Sequence, residues 1–178
     1  RNAWLAAGLP IEVAATTVDS QCGSSQQAVN LAYSLIASGV VDVAVACGVE
    51  VMSKIPMGAT TSNQAFGKPI NKRYWQHHEF TTQFEASERI AEQWGITRAE
   101  ADEFGKLSQD RGAAAWAENR YGSQILPLDA PDVDEEGKPT GTTHRVERDE
   151  GLRETSLEKL AELKPVARPD GVHTAGSS

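Results

Sequence analysis

Residues 13–48 decide the fold: Val13-Ala-Ala-Thr-Thr-Val18-Asp-Ser-Gln-Cys22-Gly-Ser24-Ser-Gln-Gln-Ala28-Val-Asn-Leu31-Ala-Tyr-Ser-Leu35-Ile-Ala-Ser38-Gly39-Val40-Val-Asp-Val-Ala-Val-Ala-Cys47-Gly48. Residues 13–18 have the composition of a short strand. From Ser24 to Ser38 the apolar residues Ala28, Leu31, Ala32, Leu35 and Ile36 keep helical spacing, and Gly39 ends the run. Val40 to Cys47 is almost continuously apolar, which fits a strand buried on both faces. Strand, helix and strand in this order predict a βαβ unit with a right-handed crossover. Two strands do not make a stable parallel sheet, so further strands are expected beside them.

Cys22 falls where the first strand gives way to the helix. A helix start offers unpaired N–H groups and the positive end of the macrodipole, both of which favour a thiolate. Gly23 allows a tight turn and close approach of a substrate to the backbone. The position therefore suits a nucleophile. A buried structural thiol is the other reading, since cysteine is among the most buried residue types. The spacing alone leaves both open. Cys47, inside the apolar run, reads as structural.

Outward from this unit, the 178 residues suffice for about one domain. The hydrophobic fraction of 39% and charged fraction of 24% are those of an ordinary globular protein. No apolar run approaches the length needed to span a bilayer, and no basic-then-apolar leader opens the chain. Two cysteines do not build a disulfide framework, so the expected compartment is a reducing cytoplasm. The net charge of −8 argues against nonspecific nucleic-acid binding. Residues 61–80 are nevertheless locally basic, with Lys68, Lys72 and Arg73, which leaves room for a small anionic ligand. Both ends look cut: Arg1 stands first, and Thr174-Ala-Gly-Ser-Ser178 closes the chain without an element. An internal segment of a longer protein is expected.

Residues 3–8 read as a helix tail stopped by Gly8 and Pro10. Periodicity fades over residues 53–80. Helical spacing returns at Glu85–Trp94 and stops at Gly95. Thr97-Arg-Ala-Glu100 is a capping-box pattern for a helix reaching about Arg120. Residues 125–151 predict irregular structure or a short exposed hairpin, and Ser156–Leu163 a short helix stopped by Pro165. His77 and His78 lack companions at ligand spacing, so no metal is expected. Asp132, Asp134, Glu135 and Glu136 read as a solvated loop, not a calcium loop.

The residues around Cys22 carry a resemblance. Gln-Cys22-Gly-Ser-Ser-Gln-Gln-Ala, then the helix, then Val-Asp-Val-Ala-Val-Ala-Cys-Gly-Val-Glu-Val-Met52-Ser-Lys-Ile-Pro56-Met-Gly58, closely resembles the thiolase family. So do Glu85-Ala-Ser-Glu-Arg-Ile-Ala-Glu-Gln-Trp94, Ser108-Gln109, Arg148-Asp-Glu-Gly-Leu-Arg153, Leu160-Ala-Glu-Leu-Lys164-Pro165 and Thr174-Ala175-Gly176, in the family's order over essentially the whole chain. The wording is most similar to degradative thiolases of actinobacteria, including those acting on steroid side-chain acyl-CoA esters.

The resemblance implies an α/β fold of the layered α-β-α thiolase type. Residues 1–52 would be the later part of the N-terminal domain, 53–173 the CoA-binding loop domain, and 174–178 the return toward the core. It implies that Cys22 takes the acyl group of a 3-ketoacyl-CoA as a thioester, releasing acetyl-CoA, and hands it to a second CoA, or that the same residues run the reverse Claisen condensation. The Cys22 N–H would serve as an oxyanion donor. Arg153 matches the family's CoA-binding arginine, in place of a merely solvated charge between Asp149, Glu150 and Glu154. Ala175 and Gly176 match the segment along the pantetheine arm. Gln83, within Thr82-Gln83-Phe84, stands where many biosynthetic members carry His-Met-Gly lining the acyl pocket. The implied substrate is coenzyme A or its acyl ester, with no tightly bound cofactor. The implied assembly is a homodimer, or a tetramer of such dimers.

Some features depart from the family pattern. Ser25 and Gln26 replace the commoner Gly and Leu. His77, His78, His144 and His173 do not match the catalytic His motif, and Cys47 does not match the second Cys; both motifs belong to the family's C-terminal half. The segment by itself is expected to be inactive. Two alternatives follow: a β-ketoacyl synthase relative, and a non-catalytic acyl-CoA-binding segment.

Overall fold

In the computed structural model, which describes residues 1–52, 54–59 and 67–177, the chain divides into two units, Arg1–Ala59 and Thr60–Ser178. Part of the loop-rich stretch read at 53–80 therefore lies outside the described residues.

The first unit opens with α1, Asn2–Ala6. Gly8, at φ 72°, turns the chain out of it, and the Trp4 indole N–H donates to Pro10 O at 2.8 Å. A 3-10 turn at Gln21–Gly23 leads into α2, Ser24–Ala37. Its C-terminus is a Schellman motif. Gly39 lies at φ 72°, its N–H donates to Ile36 O, and the Val40 N–H donates to Leu35 O, both at 3.0 Å.

The two strands read at 13–18 and 40–47 do not form a ladder here. Residues 14–20 and 43–51 carry no regular secondary structure, and Val43 and Val45 are 81% and 78% exposed. A strand's hydrogen bonds must come from a neighbouring strand, and among the described residues neither run has one. The apolar stripe of α2 is likewise uncovered, with Val29, Leu31, Leu35 and Ile36 all exposed.

Among the described residues the buried ones lie in the second unit: Ala91, Gly105, Ala115 and Leu160, with the polar Glu88, Asp102 and Thr174. Helix α3 covers Gln83–Trp94 and begins two residues earlier than its apolar spacing suggests, because the Thr82 hydroxyl caps the Glu85 N–H at 3.2 Å. Gly95 ends it at φ 66°. Helix α4 covers Arg98–Ala117, and both bonds of the expected capping box are made. Thr97 Oγ1 accepts from the Glu100 N–H at 3.2 Å, and Glu100 Oε2 accepts from the Thr97 N–H at 2.8 Å. Such a cap contributes about 1 kcal/mol.

Strands β1, Leu128–Val133, and β2, Pro139–Val146, pair antiparallel as a two-stranded hairpin with Leu128 opposite Val146 and a bulge after Pro131. The acidic residues read as a solvated loop build it. Asp134 Oδ1 accepts from the N–H groups of Glu136 and Lys138, both at 2.9 Å. Asp132 takes the Thr142 hydroxyl at 2.5 Å and His144 Nδ1 at 2.6 Å. The molecule thus has α/β content, as helices with a small sheet.

Helix α5, Leu157–Ala161, packs on α4. Arg98 fastens the pair. Its Nε meets Asp102 Oδ2 at 2.8 Å, while one terminal nitrogen donates to Leu160 O at 2.6 Å and Leu163 O at 2.9 Å. A cation is thereby held at the C-terminal end of α5, where the dipole favours it.

From Pro165 the chain returns as a strap along α3. Pro165 and Thr174 form an isolated antiparallel bridge. Arg168 pairs with Glu85 at 2.6 Å and also with Glu92. Arg89 adds Glu79 at 2.7 Å and Glu85 at 3.1 Å. The hydrogen bond from Arg168, then that from Arg89, pulls the Glu85 carboxyl from its ordinary 4.5 down to about 2. A depressed folded-state value means that this stability is fully present above pH 4.5 and drains as pH falls toward 2. Glu85→Gln is expected to lose less thermal stability than the parent across that window. Parallel acid profiles for the two proteins would show that the cluster does not hold the strap.

Candidate active site

Cys22 sits at the centre of the 3-10 turn and is exposed. The turn is stitched by neighbouring side chains. Asp19 Oδ1 accepts from the Gln21 N–H at 3.0 Å. The Ser24 hydroxyl accepts from the Ser20 N–H at 3.0 Å and donates to Gln21 O at 2.7 Å. Gln21 is held at φ 52°, a conformation that costs a non-glycine residue about 1 kcal/mol. The strain therefore falls one residue before the sulfur.

Gly23 behaves differently from its sequence reading. Its φ of −92° is ordinary, so the turn does not demand glycine. A Cβ added there would meet nothing within 4 Å, so its value is the open face beside Cys22. The α2 N-terminus has no side-chain cap, and the Cys22 N–H finds no acceptor among the described residues. The N–H groups of Gln21, Gly23 and Ser24 are taken by Asp19 Oδ1, Ser20 O and Gln21 O, so the Cys22 N–H is the unpaired donor beside the exposed sulfur, a place where an anionic oxygen would be bound.

Cys47, read as a structural thiol, is also exposed. Its neighbour Gly48 passes directly against the Ser25 hydroxyl, where a Cβ would overlap it. Among the described residues no three His, Cys, Asp or Glu side chains gather as metal ligands.

The second unit places the other candidates. Arg153 is exposed, and its guanidinium makes no ion pair among the described residues; Asp149, Glu150 and Glu154 do not engage it. Its backbone is fixed instead: Gln109 Oε1, from α4, accepts the Arg153 N–H at 2.8 Å. Gly112, one turn on, leaves room for the Leu152 side chain. In the sequence Gln109 stands out only as part of the Ser108-Gln109 match to the family.

Ala175 is exposed, while Gly176 is half-buried. The Gly176 carbonyl lies against Gly105 of α4, where no Cβ fits, and Leu160 and Leu163 close over Gly176. Gln83 is the exposed first residue of α3. The structure thus brings Arg153 and the 174–176 segment onto the α4–α5 scaffold.

The family model described as thiolase, N-terminal domain, matches residues 1–178. The chain belongs to the thiolase family. Among its curated relatives, a steroid 3-ketoacyl-CoA thiolase of Mycobacterium tuberculosis is 42% identical over 173 residues, covering 93% of this chain and 40% of the relative. A beta-ketoadipyl-CoA thiolase of Acinetobacter baylyi is 37% identical over 191 residues, covering all of this chain and 46% of the relative. A probable acetyl-CoA acyltransferase of Staphylococcus aureus is 35% identical, with the same coverage. The chain spans less than half the length of these curated thiolases. The family match decides for thiolase over the β-ketoacyl synthase reading.

Proposed function

We propose that this chain supplies the nucleophile and the CoA-holding surface of a 3-ketoacyl-CoA thiolase. The observation that carries this is Cys22: an exposed sulfur behind a strained residue, at an uncapped helix start, in a chain of the thiolase family.

The Cys22 thiolate attacks C3 of a 3-ketoacyl-CoA, forming an S–C bond. The C2–C3 bond breaks, and its electron pair passes to C2, leaving the enolate of acetyl-CoA, which takes a proton. The acyl group stays on the sulfur as a thioester. A second CoA thiol then attacks that carbonyl and releases Cys22. Splitting one difficult cleavage into two acyl transfers lowers each barrier. The unpaired Cys22 N–H at the α2 start suits the oxyanions that develop. The proton transfers are outside the roles assigned to these residues. His77, His78, His144 and His173 match no catalytic motif.

Arg153 would take the phosphates or adenine of CoA, which a guanidinium pairs with or stacks on; its exposed side chain, free of ion pairs among the described residues, supports this. Ala175 and Gly176 would lie along the pantetheine arm, and Gln83 would line the acyl pocket. In domain terms, residues 1–52 carry the nucleophile, 53–173 form the CoA loop domain, and 174–178 turn back toward the core. The names of the relatives favour thiolytic breakdown of acyl or steroid-derived acyl-CoA esters. The uncovered apolar residues of α2 and of residues 43–51 suit burial in a thiolase homo-oligomer. Two free cysteines fit a reducing cytoplasm.

The test is consumption of a 3-ketoacyl-CoA by the intact protein. CoA-dependent release of one acetyl-CoA per substrate is expected. CoA binding with no cleavage would favour the non-catalytic acyl-CoA-binding reading.

A further inference from the structure

We infer that Glu88 is the positioning residue for the pantetheine-contacting segment 174–176. The inference rests on the CoA reading of that segment given above.

Glu88 lies on α3 and is only 3% exposed. A carboxylate buried this far normally has a cation beside it. Among the described residues none pairs with Glu88. Nearby carboxylates take the available guanidiniums: Arg89 goes to Glu79 and Glu85, and Arg168 goes to Glu85 and Glu92. Glu88 instead accepts from two consecutive backbone amides of the strap. Oε2 takes the Val172 N–H and Oε1 the His173 N–H, both at 2.9 Å. Gly171 comes so close that a Cβ there would strike the carboxylate.

Two parallel bonds fix the orientation of a peptide as well as its location. The next residue along is Thr174, which is 0% exposed. Its Oγ1 accepts from the Gly176 N–H at 3.1 Å, and its N–H donates to Ser177 Oγ at 3.0 Å. On the far side, Gly176 is seated between Gly105, Leu160 and Leu163. The His173 ring stacks on Phe84 of α3 at 5.9 Å between centroids. Ala175 is therefore presented from a backbone clamped at both ends, with α3 holding one clamp and the α4–α5 scaffold the other. One residue, Thr174, separates the Glu88-bound amide of His173 from Ala175. A rotation of the strap at 172–173 passes directly to the surface that would face the pantetheine arm.

The experiment uses the intact protein and two probes: CoA, and adenosine 3′,5′-bisphosphate, which carries the nucleotide end without pantetheine. Glu88→Gln keeps the volume but turns one acceptor into a donor facing an N–H. It is expected to weaken CoA about tenfold and raise the KM for CoA similarly, with kcat and bisphosphate binding changed less than about twofold. Glu88→Asp, which retains both acceptor oxygens, should recover part of the loss, and it takes the same readings if Glu88→Gln does not fold. Equal weakening of both probes would mean general loosening of the unit and would overturn the proposal. Ala175→Leu in the parent separates the two levels. If it weakens CoA while Glu88→Gln does not, the segment contacts CoA and Glu88 does not position it. If Ala175→Leu leaves CoA binding unchanged, the CoA reading of the segment itself fails.

Discussion

Cys22→Ser is expected to lower thiolytic turnover by about four orders of magnitude, the scale on which enzymes lose rate with their nucleophile. The side chain is exposed and the turn around it is held by Asp19, Ser20 and Ser24, so the fold does not depend on the sulfur. A surface substitution of this kind shifts stability by about 0.5 kcal/mol at most. CoA should still bind, because the residues proposed to hold it belong to the other unit. Cys47→Ser is the matched control. Cys47 is equally free and also exposed, so accessibility alone would make the two cysteines equivalent. Only Cys22 sits at an uncapped helix start. Turnover in Cys47→Ser should remain close to the parent, and equal losses in both variants would remove the helix-start argument.

Arg153→Ala is expected to weaken CoA binding by about one to two orders of magnitude, the range for losing a charge-assisted contact. The melting temperature should hardly move. The guanidinium has no ion pair among the described residues, and the bond that fixes this position, from the Arg153 N–H to Gln109 Oε1, survives truncation of the side chain. The parent's affinity should also fall with added salt more steeply than the variant's, since screening acts on the charge removed. A large drop in stability with an unchanged CoA dissociation constant would make Arg153 a structural residue.

What was legible in the sequence is what local chemistry determines. Thr97 and Glu100 reveal a helix start because both partners lie within one turn, and Gly39 and Gly95 reveal helix ends because positive φ favours glycine. Cys22 was legible by its place before α2. The strain at Gln21 was not, since a glutamine gives no signal for positive φ. Glu88 was invisible for a different reason. Its two partners are backbone amides 84 and 85 residues away, and a backbone amide leaves no mark in the sequence. Gln109 was visible within the Ser108-Gln109 match but not as the anchor of Arg153, 44 residues on. The apolar runs at 13–18 and 40–47 were readable as strand-like. A ladder depends on a neighbouring strand, and none pairs with them among the described residues. Cys47 reads as structural from its apolar neighbours in sequence, but in the chain by itself it is exposed, because what would cover residues 43–51 leaves no mark in the local sequence.

The central claim is that Cys22 carries the acyl group. The direct measurement is to mix the intact protein with an acyl-CoA in the absence of free CoA, quench in acid, digest, and locate the thioester by peptide mass spectrometry. Acylation of the Cys22 peptide, reversed by added CoA, is expected, with the Cys47 peptide unmodified. Acylation of Cys47 instead, or of neither cysteine while turnover persists, would contradict it.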